Sequence, residues 1–175
     1  MDQLFQRIGA EVSRRVSPEF FASLRQGANT QQSERKSIQF IITILNEMEL
    51  PFQRAGSQQS KDFRNIGDIG LDVEVKICKS NNVIFNDTRP NSNTYYIIFY
   101  TGTVHNNAQV LLLNGNDFVA NSPWTTEYQA AIDDLKDRFC RGENAKNLPG
   151  IMKVYTRPNY SANISSFLTR TQVLE

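Results

Sequence analysis

The chain has 175 residues, 39% hydrophobic and 21% charged, with a net charge of +1 at neutral pH. Those values suit one soluble globular domain that buries about two-thirds of its unfolded surface. They exclude a membrane span, because the longest apolar run, residues 40–45, falls far short of the ~20 residues a bilayer requires.

The N-terminus has acids at Asp2 and Glu11 and no apolar leader, and Cys78 and Cys140 form neither a disulfide framework nor a zinc spacing. A cytoplasmic protein is expected. The near-neutral total hides an uneven spread: residues 136–175 carry seven bases against three acids. Such a surface can meet phosphates while acids elsewhere cancel the sum.

Residues 2–16 read as an amphipathic helix with Leu4, Phe5, Ile8 and Val12 on one side. Ser17-Pro18 predicts a capped second helix through Leu24. GANTQQS (27–33) reads as a polar loop. Ile38, Ile41, Ile42, Leu45 and Met48 then mark a long helix over residues 33–50, ended by Pro51. Strands are expected at 52–55, 63–66, 71–78, 83–85, 95–100 and 109–113. YYIIFY (95–100) lacks polar alternation and so predicts a central strand covered on both faces. Residues 126–139 read as a helix with Tyr128, Ile132, Leu135 and Phe139 toward the core, ended by Gly142. A short strand at 151–155, a polar stretch at 156–163 and a last amphipathic turn follow. The order predicts an α/β fold, a central mixed β-sheet flanked by helices. N-terminal helices occupy about 1–50, a sheet core about 52–113, and a C-terminal helix and tail about 124–175.

The chemistry concentrates at residues 60–79. Leu71, Val73, Val75 and Ile77 alternate with Asp72, Glu74 and Lys76, which describes a strand with one apolar and one charged face. Glu74 and Lys76 project to the same side about 7 Å apart. Asp62 precedes them at hairpin distance, with Gly67 and Gly70 supplying the turn. Two carboxylates and a lysine on neighbouring strands can hold a hard divalent cation and polarise a water beside it, as metal-assisted phosphodiester hydrolysis requires. Asp68 is the rival for the first acid, and Asp72 reads as a surface or supporting group. The competing reading is an exposed edge strand whose charged face is solvated. Glu34-Arg35-Lys36, a second ExK triplet, falls in a helix.

Asp62, the glycine turn, Glu74-Val75-Lys76 and the following strands resemble the PD-(D/E)XK nuclease core. The size and layout resemble a small type II restriction endonuclease. The likeness covers about 25 residues plus the order of elements over roughly 33–113, and Lys61 stands where the family name places proline. The resemblance implies a restriction-endonuclease-like core in which Asp62 and Glu74 ligate Mg²⁺, with the Val75 carbonyl as a further ligand. Lys76 would orient or deprotonate the attacking water and stabilise charge on the scissile phosphate. Glu34 matches the place of an auxiliary acid, although an acid near a helix start also suits the dipole. Double-stranded DNA as substrate, a homodimer on a palindromic target and a cognate DNA methyltransferase in the same system are implied with it.

Loops dense in Asn, Gln, Ser and Arg flank this region. Gln58 and Gln59, and above all Asn86, Asp87, Thr88 and Arg89, are candidates for base readout. Lys153, Arg157 and Tyr160 are candidates for phosphate contact. His105 is the single histidine and has no partners for a zinc or His-Asn nuclease site. Two other functions remain in view. One is a repair or junction-resolving nuclease of the same superfamily. The other is a non-catalytic DNA-binding or interaction module.

Overall fold

In the computed structural model, residues 1–26, 30–54, 61–86, 90–102, 108–118, 123–139 and 159–168 are described. Three helices come first: α1 (Asp2–Arg15), α2 (Pro18–Arg25) and α3 (Thr30–Glu47). The strands are β1 (Gln53–Arg54), β2 (Phe63–Ile66), β3 (Leu71–Cys78), β4 (Asn82–Asn86), β5 (Tyr95–Tyr100), β6 (Gln109–Asn114) and β7 (Asn159–Asn163). Two more helices are α4 (Pro123–Phe139) and the single turn α5 (Ser165–Leu168).

Five strands form the main sheet in the order β1-β2-β3-β5-β6, and β4 pairs instead with β7. The sheet is mixed: β3 and β5 run parallel and the other neighbours antiparallel. The class expected from the sequence, an α/β fold on a central mixed sheet with helices packed against it, is therefore what the chain adopts.

One face of the sheet is covered by α1, α2 and α3. Phe5, Ile8, Val12, Phe21, Leu24, Ile38, Ile41 and Ile44 pack there on Phe63, Val73, Val75, Ile97 and Phe99. The apolar sides of the first two helices are thus spent on the chain's own sheet. Ser17 Oγ accepts from the Phe20 N–H at 3.2 Å, the cap expected for α2. The opposite face buries Tyr96, Ile98, Tyr100, Leu111 and Leu113 beneath Val83, Phe85 and Ile164. Every residue of β5 is buried, as its unbroken apolar run predicts.

Several expectations shift. Residues 30–32 belong to α3 rather than to a polar loop: Ser33 is buried and its hydroxyl donates to the Leu24 carbonyl at 2.8 Å, which ties the first turn to α2. The polar stretch 156–163 contains a strand, β7, over Asn159–Asn163. Pairing with β4 satisfies its backbone, and Tyr160 and Ala162 pack inward beside Phe85 and Val83. On α4, Tyr128 and Leu135 are 49% and 42% exposed, so they do not face the core. The main sheet already has covers on both faces, and α4 meets β7 through the Tyr160 hydroxyl, which donates to Gln129 Oε1. The expected strand at 151–155 lies outside the described residues. Among the described residues no helix is long and apolar enough to cross a membrane.

Candidate active site

β3 is the third of five strands, hydrogen-bonded on both sides, so its charged side is not the solvated face of an edge strand. Parallel register sets Glu74 against Tyr96 and Lys76 against Ile98, placing the acid and the base on the face opposite the main helical layer. Burial is incomplete but substantial: the Glu74 and Lys76 side chains are 12% and 21% exposed. They form an ion pair with each other.

The β2–β3 hairpin delivers the second carboxylate. Its turn is built from residues in the left-handed region: Asn65 at φ 50°, Gly67 at 68°, Asp68 at 57° and Gly70 at 74°. The Asn65 side chain holds it, with Oδ1 accepting from the Gly70 N–H at 2.8 Å and Nδ2 donating to Asp68 Oδ1 at 3.1 Å. β2 begins at Phe63, and just before it the Asp62 N–H donates to the Val73 carbonyl at 3.2 Å. Where a next ladder bond would stand, the Val75 N–H donates to Asp62 Oδ2 at 2.7 Å. Because the N–H and C=O of one strand residue face the same neighbour, the Val75 carbonyl is turned to this side too.

The electrostatics are those of crowded acids around one ammonium. Burial pushes the Asp62 carboxyl above its ordinary 3.8, against the lowering effect of the Val75 N–H and the Lys76 charge. Burial likewise pushes Glu74 above 4.5, and Lys76 opposes it. Asp62 raises Glu74 further, and Glu34 raises both. Glu34 itself is exposed in the second turn of α3. A set of carboxylates that burial and mutual repulsion resist ionising is one that a divalent cation would relieve. Among the described residues no three His, Cys, Asp or Glu side chains enclose a metal by themselves. Asp62 and Glu74 are the two buried carboxylates of the site that could take part in holding a divalent cation, which needs only one or two such groups when it keeps several waters.

Asp62, Glu74, Val75 and Lys76 are thus brought together, with Glu34 nearby. Asp68 is not: it is exposed at the hairpin tip and occupied with Asn65. Asp72 pairs with Lys61 and accepts from the Asn65 N–H at 3.1 Å, so it braces the hairpin. Among the proposed DNA contacts, Gln58, Gln59, Asp87, Thr88, Arg89, Lys153 and Arg157 lie outside the described residues. Asn86 closes β4 opposite Asn159 in the backbone register, and Tyr160 is half-buried with its hydroxyl on Gln129.

Sequence reasoning missed the floor of the site. The Lys76 ammonium sits over the Phe85 ring, 5.7 Å from its centroid, and Phe85 meets Tyr96 edge-on at 5.5 Å. The Tyr96 hydroxyl accepts from the Asn91 N–H at 3.1 Å, and burial pushes its pKa up to about 12. Arg54 on β1 adds a cation that acts on Asp62. No local pattern marks these residues: Tyr96 and Arg54 reach the site through strand pairing, and Phe85 through the packing of β4 on the sheet. Comparison of the chain with family models, curated proteins and solved structures gives no match.

Proposed function

We propose that this chain is a Mg²⁺-dependent endonuclease of the type II restriction class, cutting double-stranded DNA at a short specific sequence as a homodimer. A cognate methyltransferase would protect host DNA in the same system. The observation that supports this reading best is the convergence of Asp62, Glu74 and Lys76 on an inner strand, where burial makes unneutralised charge costly. A solvated decorative face would not place two carboxylates where burial opposes their ionisation.

Asp62 and Glu74 would hold the metal, with the Val75 carbonyl beside them. A bound Mg²⁺ would supply Lewis acidity at a phosphate oxygen and lower the pKa of a bound water. The Lys76 ammonium would orient the attacking water and offset the negative charge that develops on the phosphoryl oxygens. Its pairing with Glu74 and its seat over Phe85 hold it there before substrate arrives. The Val75 N–H fixes the Asp62 carboxylate through Oδ2.

The test is incubation with unmethylated phage DNA in Mg²⁺ or EDTA, with Asp62→Asn, Glu74→Gln and Lys76→Ala in parallel. Discrete fragments that need Mg²⁺ and all three side chains are expected. A continuous smear would replace the restriction reading with a repair-type nuclease. Intact DNA in every lane, from protein with a cooperative melt, would refute cleavage altogether.

A further inference from the structure

β4 and β7 form a separate two-stranded antiparallel ribbon standing on the same face of the main sheet as Glu74 and Lys76. Its inner side is apolar: Val83 and Phe85 are buried, and Tyr160 and Ala162 pack beside them. Its outer side is exposed and uncharged. Asn82 stands opposite Asn163 and Ile84 opposite Ser161, and all four are exposed, Ile84 to 56%. None of the ten ribbon residues carries a charge. The Asn82 side-chain amide has no hydrogen-bond partner among the described residues, whereas Asn163 Oδ1 accepts from the Ser165 N–H at 2.9 Å.

We propose that the outer face of the β4–β7 ribbon reads A·T-containing base pairs in the DNA major groove, with Asn82 and Ile84 as its principal contacts. The choice of duplex DNA as occupant rests on the nuclease reading of the neighbouring site. The major groove, about 12 Å wide, admits a two-stranded ribbon. Side chains two residues apart on one strand face are about 6.8 Å apart, which is two base steps of about 3.4 Å. Asn82 can bond the N6 and N7 edge of adenine, and Ile84, two residues on, offers an aliphatic contact for a thymine methyl; the Ser161 hydroxyl, opposite Ile84, serves as donor or acceptor.

The ribbon carries no carboxylate to repel the phosphates on either side. Continuity with the cleavage site completes the argument. Phe85, on the ribbon's inner side, lies 5.7 Å from the Lys76 ammonium, so the ribbon borders the proposed cleavage site and a duplex with a phosphodiester there runs past it. A second copy of the chain is a poorer occupant, since the face offers one apolar side chain among amides and a hydroxyl.

The experiment selects 20-bp duplexes with a randomised centre on the full protein, with Ca²⁺ replacing Mg²⁺ so that binding is read without cleavage. Uracil then replaces thymine, and 7-deazaadenine replaces adenine, in the enriched duplex. Wild type is expected to enrich A·T pairs and to bind about 5- to 100-fold more weakly after each replacement. Asn82→Ala should lose its sensitivity to 7-deazaadenine, and Ile84→Ala its sensitivity to uracil, both melting close to wild type because the positions are exposed.

Enriched duplexes that tolerate both replacements would overturn the proposal, as would variants that keep wild-type sensitivity or a complete lack of DNA retention. The nuclease reading is judged separately in Mg²⁺. Ribbon-dependent binding without cleavage would remove the nuclease and leave the ribbon standing. Specific cleavage indifferent to the analogues would do the reverse.

Discussion

Lys76→Ala tests the electrostatic account of the site without any assumption about substrate. The substitution removes the one ammonium that opposes burial at Glu74 and leaves a carboxylate whose side chain is only 12% exposed. Exposed ion pairs contribute about 0–1 kcal/mol, and breaking a buried pair costs about 3–5 kcal/mol. With 21% and 12% exposure this pair lies between those limits, and after discounting for solvent screening the loss should be about 2 kcal/mol. For a chain of this length that corresponds to a melting temperature lower by about 4–8 °C.

The pH dependence carries the sharper test. Without Lys76, burial, Asp62 and Glu34 all push the Glu74 pKa up, so the folded state prefers the neutral acid. A raised folded-state pKa gives stability that is fully present below the ordinary 4.5 and lost as pH rises through the folded value. The deficit relative to wild type should therefore be small near pH 4 and full at pH 8. Thermal melts followed by circular dichroism at both values measure it, with Glu74→Gln/Lys76→Ala as the compensating double variant. A deficit of equal size at both pH values, or a double variant no more stable than the single one, would refute the reasoning.

Outcomes are expected for four further variants. Asp62→Asn keeps an oxygen for the Val75 N–H while removing one charge beside Glu74, so it should melt no lower than wild type at pH 8. The same variant should cleave at least about a hundredfold more slowly, whereas Asp68→Asn should stay within about 0.5 kcal/mol and leave cleavage unchanged. In Gly115→Ala the new Cβ would meet the Asn91 carbonyl oxygen at 1.7 Å, a backbone atom that cannot swing aside. A loss of about 3 kcal/mol in denaturant melts is expected, and cleavage should fall with it because the Asn91 N–H holds the Tyr96 hydroxyl beside the site. Ser17→Ala removes the α2 cap and should cost about 1 kcal/mol, with no change in cleavage per folded molecule.

The candidate site was legible where its logic is local. The alternation at 71–78 names its strand and its two faces, and the glycines at 67 and 70 fall at positive φ as a tight hairpin needs. Asp62 opposite the Glu74 region follows from that hairpin. Glu34 was visible only as an acid near a helix start, because its effect on Asp62 and Glu74 depends on how α3 lies across the sheet. Phe85, Tyr96 and Arg54 carried no signal at all, since each meets the site from another strand.

Side-chain periodicity and turn chemistry act within a few residues, so the sequence by itself determined the first two helices, the strands at 63–66, 71–78 and 95–100, and the doubly buried character of β5. Only the tertiary structure decided that β3 is an inner strand, that β4 leaves the sheet to meet a polar segment 77 residues later, and that α4 keeps Tyr128 and Leu135 in solvent. Those outcomes depend on which surfaces remain uncovered once the rest of the chain has packed. A strand such as Asn159–Asn163 has no apolar pattern of its own to announce it. It becomes a strand because the open edge of β4 needs hydrogen-bond partners.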